Sequence, residues 1–373
     1  METLLTPKTR AFAFYDALLA APMNAAWQLG SFVGAWVGKG PKLMRESFIE
    51  LTLTSGTKRV RCTEPRVPPP GPLPVVVFVH GMSLHGERDP RQDAICDAIA
   101  AAGFRVLAPR IEEVARLQFG AASVEEIAEI LDAVARDSTL SPDGSVAVAS
   151  VSFSAPMTLI AASRPTLRAR VSSALVIGGY CDPERCVDDL MTVAEDDYGR
   201  LLSIWNFMRF AGETNTTVDD AFLAMCRDNV AERPEVTRRE RLDGLSPRDR
   251  ARVEQLLGDA NARVELVSET WARRPELLRD LDLVPHIPAL RFPIAILHGA
   301  DDKVIDVEHA HTLAGWLRAY GKPHRLCTTR LIDHGTRKSL LHAGLTLVDV
   351  LATLRFFFEA AQDQRSSTST QTS

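Results

Sequence analysis

Three stretches of this chain are too uniformly apolar to be strands with one wet face: Val75-Val76-Val77-Phe78-Val79, Val146-Ala147-Val148-Ala149 and Ala174-Leu175-Val176-Ile177. Strands that read this way are covered on both sides, as in a parallel sheet with a layer of helices on each face. Segments of helical period, about Arg91 to Ala102 and Val124 to Arg136, lie between them, together with a short strand at Phe104 to Pro109. Later the pattern resumes with a strand at Pro293 to Gly299, a helix at Val307 to Tyr320, a strand at His324 to Ile332 and a closing helix at Lys338 to Ala361. Such alternation predicts an α/β fold with a mostly parallel, doubly wound sheet.

Two segments stand outside this rhythm. Ser47 to Pro65 alternates around Ser55-Gly56-Thr57 and predicts an antiparallel hairpin, delivered by the stiff, proline-rich stretch Pro65 to Pro74 into the first buried strand. From Pro183 to Pro285 the chain is charged and helical in period, with helices expected at Tyr198–Phe210, Val218–Asn229, Pro247–Leu257 and Ala262–Arg273. Roughly 100 residues are far more than a strand-to-strand connection needs, so this part is expected to be a helical cap. Its aromatic residues (Trp205, Phe207, Phe210, Phe222 and Trp271, with Met208) are expected to form mainly the cap's own core. The expected division is therefore 1–46 an apolar N-terminal helical segment, 47–182 the first part of the α/β core, 183–290 the cap, 291–361 the second part of the core, and 362–373 a disordered polar tail.

Ala17 to Gly38 carries no charged residue. It is about as long as a membrane span, roughly 20 residues, but Pro22, Asn24 and Gln28 interrupt it and it lacks the layout of a signal peptide. The first reading is an apolar helix packed on the domain. The alternative is membrane association through residues 11–38, with Trp27 and Trp36 at the interface, and a cleaved signal ranks last. The expected location is cytoplasmic, membrane-associated only if this segment anchors. The six cysteines show no CxxC spacing, which favours buried thiols in a reducing compartment over a disulfide framework. With a net charge of −5 and no basic stripe, no nucleic-acid partner is expected. Oligomeric state cannot be read from the sequence.

The chemistry centres on Ser150-Val151-Ser152-Phe153-Ser154, where a buried strand ends abruptly in small residues. A nucleophilic serine on a sharp strand-to-helix turn needs small neighbours two residues away on each side. Serines stand here where glycines are usual, so the expectation is a crowded turn. A serine hydroxyl also needs a base, and the base a carboxylate to orient it. Both should sit at the carboxyl ends of later strands. Asp301-Asp302 follows one such strand, and His334 follows the last. The order Ser152, Asp302, His334 is the one this geometry uses, with Asp306 on the same loop as the alternative acid. Two N–H groups should face the developing oxyanion: that of Phe153, directly after the serine, and that of Met82 in His80-Gly81-Met82-Ser83. His80 and His298 are read as structural.

Together, His80-Gly81, Ser150-x-Ser152-x-Ser154, His298-Gly299-x-x-Asp302 and Asp333-His334-Gly335 resemble the α/β-hydrolase superfamily over about residues 47 to 360. The resemblance implies an α/β-hydrolase fold with a variable helical cap, Ser152 as nucleophile, Asp302 as acid, His334 as base, and Met82 and Phe153 as oxyanion donors. His80 to Arg91 is also similar to a poorly described bacterial branch that brings no reaction with it. No phosphate-binding loop opens a helix after a strand, and His309 and His311 do not share a helix face, so no cofactor or metal is expected. The leading expectation is a serine hydrolase acting on a small-molecule ester or acyl substrate. A thioesterase or peptidase would use the same residues, and a non-catalytic binding protein is the reading from another class.

Overall fold

The computed structural model describes residues 23–36, 44–230, 240–334 and 346–369. Helix α1 (Met23–Trp36) precedes the hairpin β1 (Met44–Leu53) and β2 (Gly56–Pro65). The first half of the core follows as β3 (Val75–Val79), α2 (Pro90–Ala101), β4 (Arg105–Ala108), α3 (Glu112–Ala115), α4 (Ala121–Arg136), β5 (Val146–Val151), α5 (Ser154–Ala162) and β6 (Val171–Ile177). Helices α6 (Pro183–Thr192), α7 (Asp197–Ala211), α8 (Thr216–Val230), α9 (Pro247–Gly258), α10 (Ala260–Arg273) and α11 (Pro275–Leu281) then intervene. The core closes with β7 (Ile294–Gly299), α12 (Val307–Ala319), β8 (His324–Thr329) and α13 (Thr346–Ser369).

The eight strands form one sheet in the order β1-β2-β4-β3-β5-β6-β7-β8. From β4 to β8 every neighbouring pair is parallel, and the hairpin joins β4 antiparallel. After β4 the chain crosses back over β3 to lay down β5. The loops leaving β3 and β5 therefore part at the carboxyl edge and open a crevice between them, the place where open α/β sheets bind ligands.

Alternation along each strand divides the core in two. Val75, Val77, Val79, Val146, Val148, Val176 and Ile296 pack with α4, α5 and the intervening helices. Val76, Phe78, Ala147, Leu175, Ile177 and Leu297 pack with α1, α2 and α13. Helix α4 shows why a helix belongs on such a face: Val124, Ile127, Ala128, Leu131, Val134 and Ala135 are buried at helical spacing. Helix α5 is buried all round, as a central helix covered by further structure must be.

The apolar N-terminal segment is a packing helix over its described part. Leu29 and Phe32 are buried in the second core, and the Phe32 ring lies 5.9 Å from that of Phe358 on α13. Among the described residues no helix is long and apolar enough to cross a membrane. Residues 11–22, 37 and 38 of the segment considered for membrane association lie outside the described part. Two boundaries differ from the sequence expectation. Met44 to Glu46, given to the N-terminal segment, already pair with β2. Helix α13 runs on to Ser369, past the expected end at Ala361, because Gln362-Asp363-Gln364-Arg365 contains good helix formers. The expected beginning of that helix, 338–345, lies outside the described residues.

The intervening helices do not form the separate core expected from the sequence but share the one on the α4 and α5 side of the sheet: Phe207 meets Trp271 edge-on at 4.9 Å, and Trp205 stacks with Phe222 at 6.5 Å. Polar ties join them to the sheet domain. The Asn206 Nδ2 group on α7 donates to the Leu117 carbonyl of the sheet domain and, within its own helix, to that of Leu202. All six cysteines are buried and unbridged, Cys181 and Cys186 included.

Candidate active site

Strand β5 enters α5 through Ser152, whose φ of 58° is one of two left-handed non-glycine conformations among the described residues. A serine pays for that conformation in strain, and surrounding bonds impose it. Ser152 N–H donates to the Ile177 carbonyl at 2.8 Å, and its own carbonyl receives Ala155 N–H at 3.0 Å. The turn carries the Ser152 hydroxyl to the edge of a cavity of about 720 Å³.

His334 reaches that hydroxyl from the loop after β8. Its Nε2 lies 2.8 Å from Ser152 Oγ, while its Nδ1 lies 3.0 Å from Asp302 Oδ2. A carboxylate can only accept, so Nδ1 carries the proton and Nε2 is left to accept from the serine. Asp302 stands in the turn after β7 with a fully buried side chain. Its Oδ1 accepts the N–H groups of Val304 at 2.9 Å and Ile305 at 3.1 Å. Burial alone would raise its pKa. The facing His334, its hydrogen bond, the nearby His298 and the Val304 N–H outweigh that and hold the carboxyl below its ordinary value. The structure thus brings Ser152, His334 and Asp302 into one hydrogen-bonded line. Asp306 is elsewhere, capping α12 by accepting Glu308 N–H at 2.8 Å, and Asp301 faces Arg330 at 3.7 Å. Gly335 lies outside the described residues.

Gly81 runs directly behind the serine: a Cβ there would stand 3.5 Å from Ser152 Cβ. Met82 and Phe153 both line the cavity, and among the described residues neither backbone N–H has a hydrogen-bond partner. Ser83 Oγ donates to Asp89 Oδ2 at 2.6 Å, and Tyr198 Oη on α7 donates to the Met82 carbonyl at 3.2 Å. His80 braces the loop, with Nδ1–H donating to the Gly81 carbonyl at 2.9 Å and Nε2 accepting Ile111 N–H at 3.0 Å. Burial pushes its pKa down, consistent with a neutral ring. His298 is likewise structural, its Nε2–H donating to the Ile305 carbonyl at 2.8 Å.

Of the two serines expected to crowd the turn, Ser154 forms a bond across it, and the closest backbone approach lies at a neighbouring glycine. Ser154 Oγ donates to the His80 carbonyl at 2.6 Å, so the side chain that replaces a glycine hydrogen atom becomes a tie between α5 and the β3 loop. The close approach that demands a missing side chain falls instead on Gly179, just past β6, where a Cβ would stand 2.6 Å from Ala155 Cβ.

Sequence reasoning missed several parts of this site. Asp89 is buried, caps α2 through Arg91 N–H and is held by the Arg91 guanidinium and Ser83. Burial would raise its carboxyl, but these contacts bring it down to about 2. Asp-Pro before a helical segment was its available signal. Phe32 and Val33 of α1 also line the cavity, a placement no local pattern encodes. Among the described residues no three His, Cys, Asp or Glu side chains gather as a metal-ligand set.

No protein-family model matches the sequence, and no curated relative does. Solved structures do match in shape. An acylaminoacyl peptidase in complex with Z-Gly-Gly-Phe-chloromethyl ketone superposes with a TM-score of 0.52 at 14% identity, covering 87% of this chain and 43% of that one. Uncomplexed Pyrococcus horikoshii acylaminoacyl peptidase gives 0.51 at 13% identity, with the same coverage. Esterase B from Lactobacillus rhamnosis gives 0.51 at 11% identity, covering 93% of this chain and 99% of that one. This chain has the α/β-hydrolase fold. It spans less than half the length of the acylaminoacyl peptidases. Ser152 stands at the turn from β5 into α5, with the loop after β3 beside it.

Proposed function

We propose that the chain is a serine hydrolase that cleaves carboxylic esters through a Ser152-His334-Asp302 triad. The observation that carries the proposal is the continuous line from Ser152 Oγ through both nitrogens of His334 to Asp302 Oδ2. In the reaction, Ser152 Oγ bonds to the ester carbonyl carbon while its proton moves to His334 Nε2. The carbonyl oxygen becomes an oxyanion facing the N–H groups of Met82 and Phe153, each worth about 2.7–4 kcal/mol of barrier in such a hole. Asp302 keeps the ring in its Nδ1–H form and stabilises the imidazolium. Collapse breaks the carbon–oxygen bond to the alcohol, which leaves with the proton from His334. Water, deprotonated by the same nitrogen, then bonds to the acyl carbon, and collapse breaks that carbon's bond to Ser152 Oγ, which takes the proton back from His334 as the acid leaves.

A cavity lined mainly by apolar groups beside the serine supports an ester over a polar peptide. Peptide cleavage is the second reading, favoured by the likeness in shape to acylaminoacyl peptidase. Labelling with a fluorophosphonate tests the assignment, together with turnover of p-nitrophenyl esters and of unactivated peptide amides. The expected result is a label on the wild type that Ser152→Ala abolishes, with turnover falling by at least about 10⁴-fold. A label that survives the substitution, or none at all, removes the assignment, and turnover of unactivated peptide amides that Ser152→Ala abolishes selects the peptidase.

A further inference from the structure

The cavity beside Ser152 does not stop at the carboxyl edge of the sheet. It continues onto the face covered by α1 and α13, the side away from α4 and α5. On the strand side its lining passes from Ile177, the last residue of β6, back to Leu175, a step of about 7 Å into the sheet. Opposite stand Leu347, Val350, Leu351 and Leu354 of α13. Their spacing of i, i+3, i+4 and i+7 makes one stripe, about 10 Å long. Phe32 and Val33 of α1 line the same space. The charged lining residues all belong to the edge: Asp89 and Arg91 at the start of α2, Asp196 before α7, Asp301 to Lys303 after β7, and Asp333 beside His334. The cavity is thus a charged mouth around the serine with a wing behind it that is mostly apolar, Gln92 and Thr329 being the uncharged polar exceptions along the lining away from the serine and Tyr198.

We propose that this wing is the chain-binding subsite of the enzyme and takes the alkyl chain of a medium- to long-chain ester, its sides formed by Val33 and Leu351 and its far end closed by Leu354. The inference rests on the hydrolase reading above, because continuity with the Ser152 hydroxyl makes the wing a substrate site. An alkyl chain follows from its walls, which are apolar side chains of α1, α13, β6 and β7. The same chain could belong to the acid or to the alcohol of the ester.

The test is kcat/KM over two series: p-nitrophenyl esters from acetate to dodecanoate, and acetate esters of alcohols from ethanol to dodecanol. Each buried methylene is expected to raise kcat/KM about fourfold until the wing is full. The series that rises identifies the side of the ester that enters. In Val33→Trp and in Leu351→Trp, the decanoate-to-acetate ratio (or its alcohol counterpart) should fall at least about tenfold, and in Leu354→Ala the optimum should move to longer chains. A flat response in both series, or ratios untouched by these substitutions in folded protein, overturns the proposal. Dansyl-undecanoate binding to Ser152→Ala, with displacement by decanoate, separates this outcome from failure of the hydrolase reading. Tight binding lost in Val33→Trp supports the wing even if fluorophosphonate fails to label Ser152. Labelling without binding or chain-length dependence leaves the hydrolase and removes the wing.

Discussion

At the scale of single residues, the site shows one set of positions that sequence order could reveal and another that it could not. Ser152, Asp302 and His334 are each the chemistry-bearing residue in a loop after a buried strand, and parallel strands deliver such loops to one edge. Their meeting follows from topology. The part of Ser154 does not, because its value depends on the His80 carbonyl across the turn, 2.6 Å from its hydroxyl. Seen alone, Ser154 is only a bulkier glycine. Restoring that glycine should therefore weaken the protein: Ser154→Gly is expected to lower stability by about 1 kcal/mol, measured by denaturant unfolding, through the lost hydrogen bond. Asp302→Asn should act on rate. An amide at that place favours the wrong ring tautomer of His334, and ester turnover is expected to fall about 10⁴-fold with the fold intact by circular dichroism.

At the scale of elements, β3 and its loop were legible because five apolar residues in a row admit few alternatives. The start of α2 was legible only in part. Asp89-Pro90 marks a helix entry, but nothing local shows that the cap is buried, receives Ser83 and pairs with Arg91. With its pKa at about 2 against an ordinary 3.8, Asp89 releases its proton more readily in the folded chain than in the unfolded one. Its contribution to stability is thus fully present above pH ~4 and is lost as the pH falls towards ~2. Asp89→Asn should lower the melting temperature at neutral pH, and the gap from wild type should narrow across that acid window. A gap that stays constant with pH would show that Asp89 acts through packing alone. Asp302, also held below its ordinary value, works in the same direction, whereas burial raises Asp196 and sets it against them.

At the scale of the whole molecule, the surprise is the use made of the two ends of the described chain. An uncharged run such as Ala17 to Gly38 reads first as a packing helix and second as a membrane anchor, since both bury apolar surface and composition cannot say against what. The structure settles α1 onto α2 and α13, with Phe32 against Phe358. Phe32→Ala is accordingly expected to cost about 3 kcal/mol of global stability, read from chemical denaturation, because it opens a void between two helices. The cysteines carry a consequence of another kind. All six are buried, and burial pushes the thiols of Cys96, Cys181, Cys226 and Cys327 up to about 12. Thiolates are the reactive form, so an alkylating reagent should pass over the native chain and mark only molecules that have opened. The protein thereby carries its own clock for unfolding, and a single cysteine introduced on the surface would be the one place where a dye or spin probe attaches.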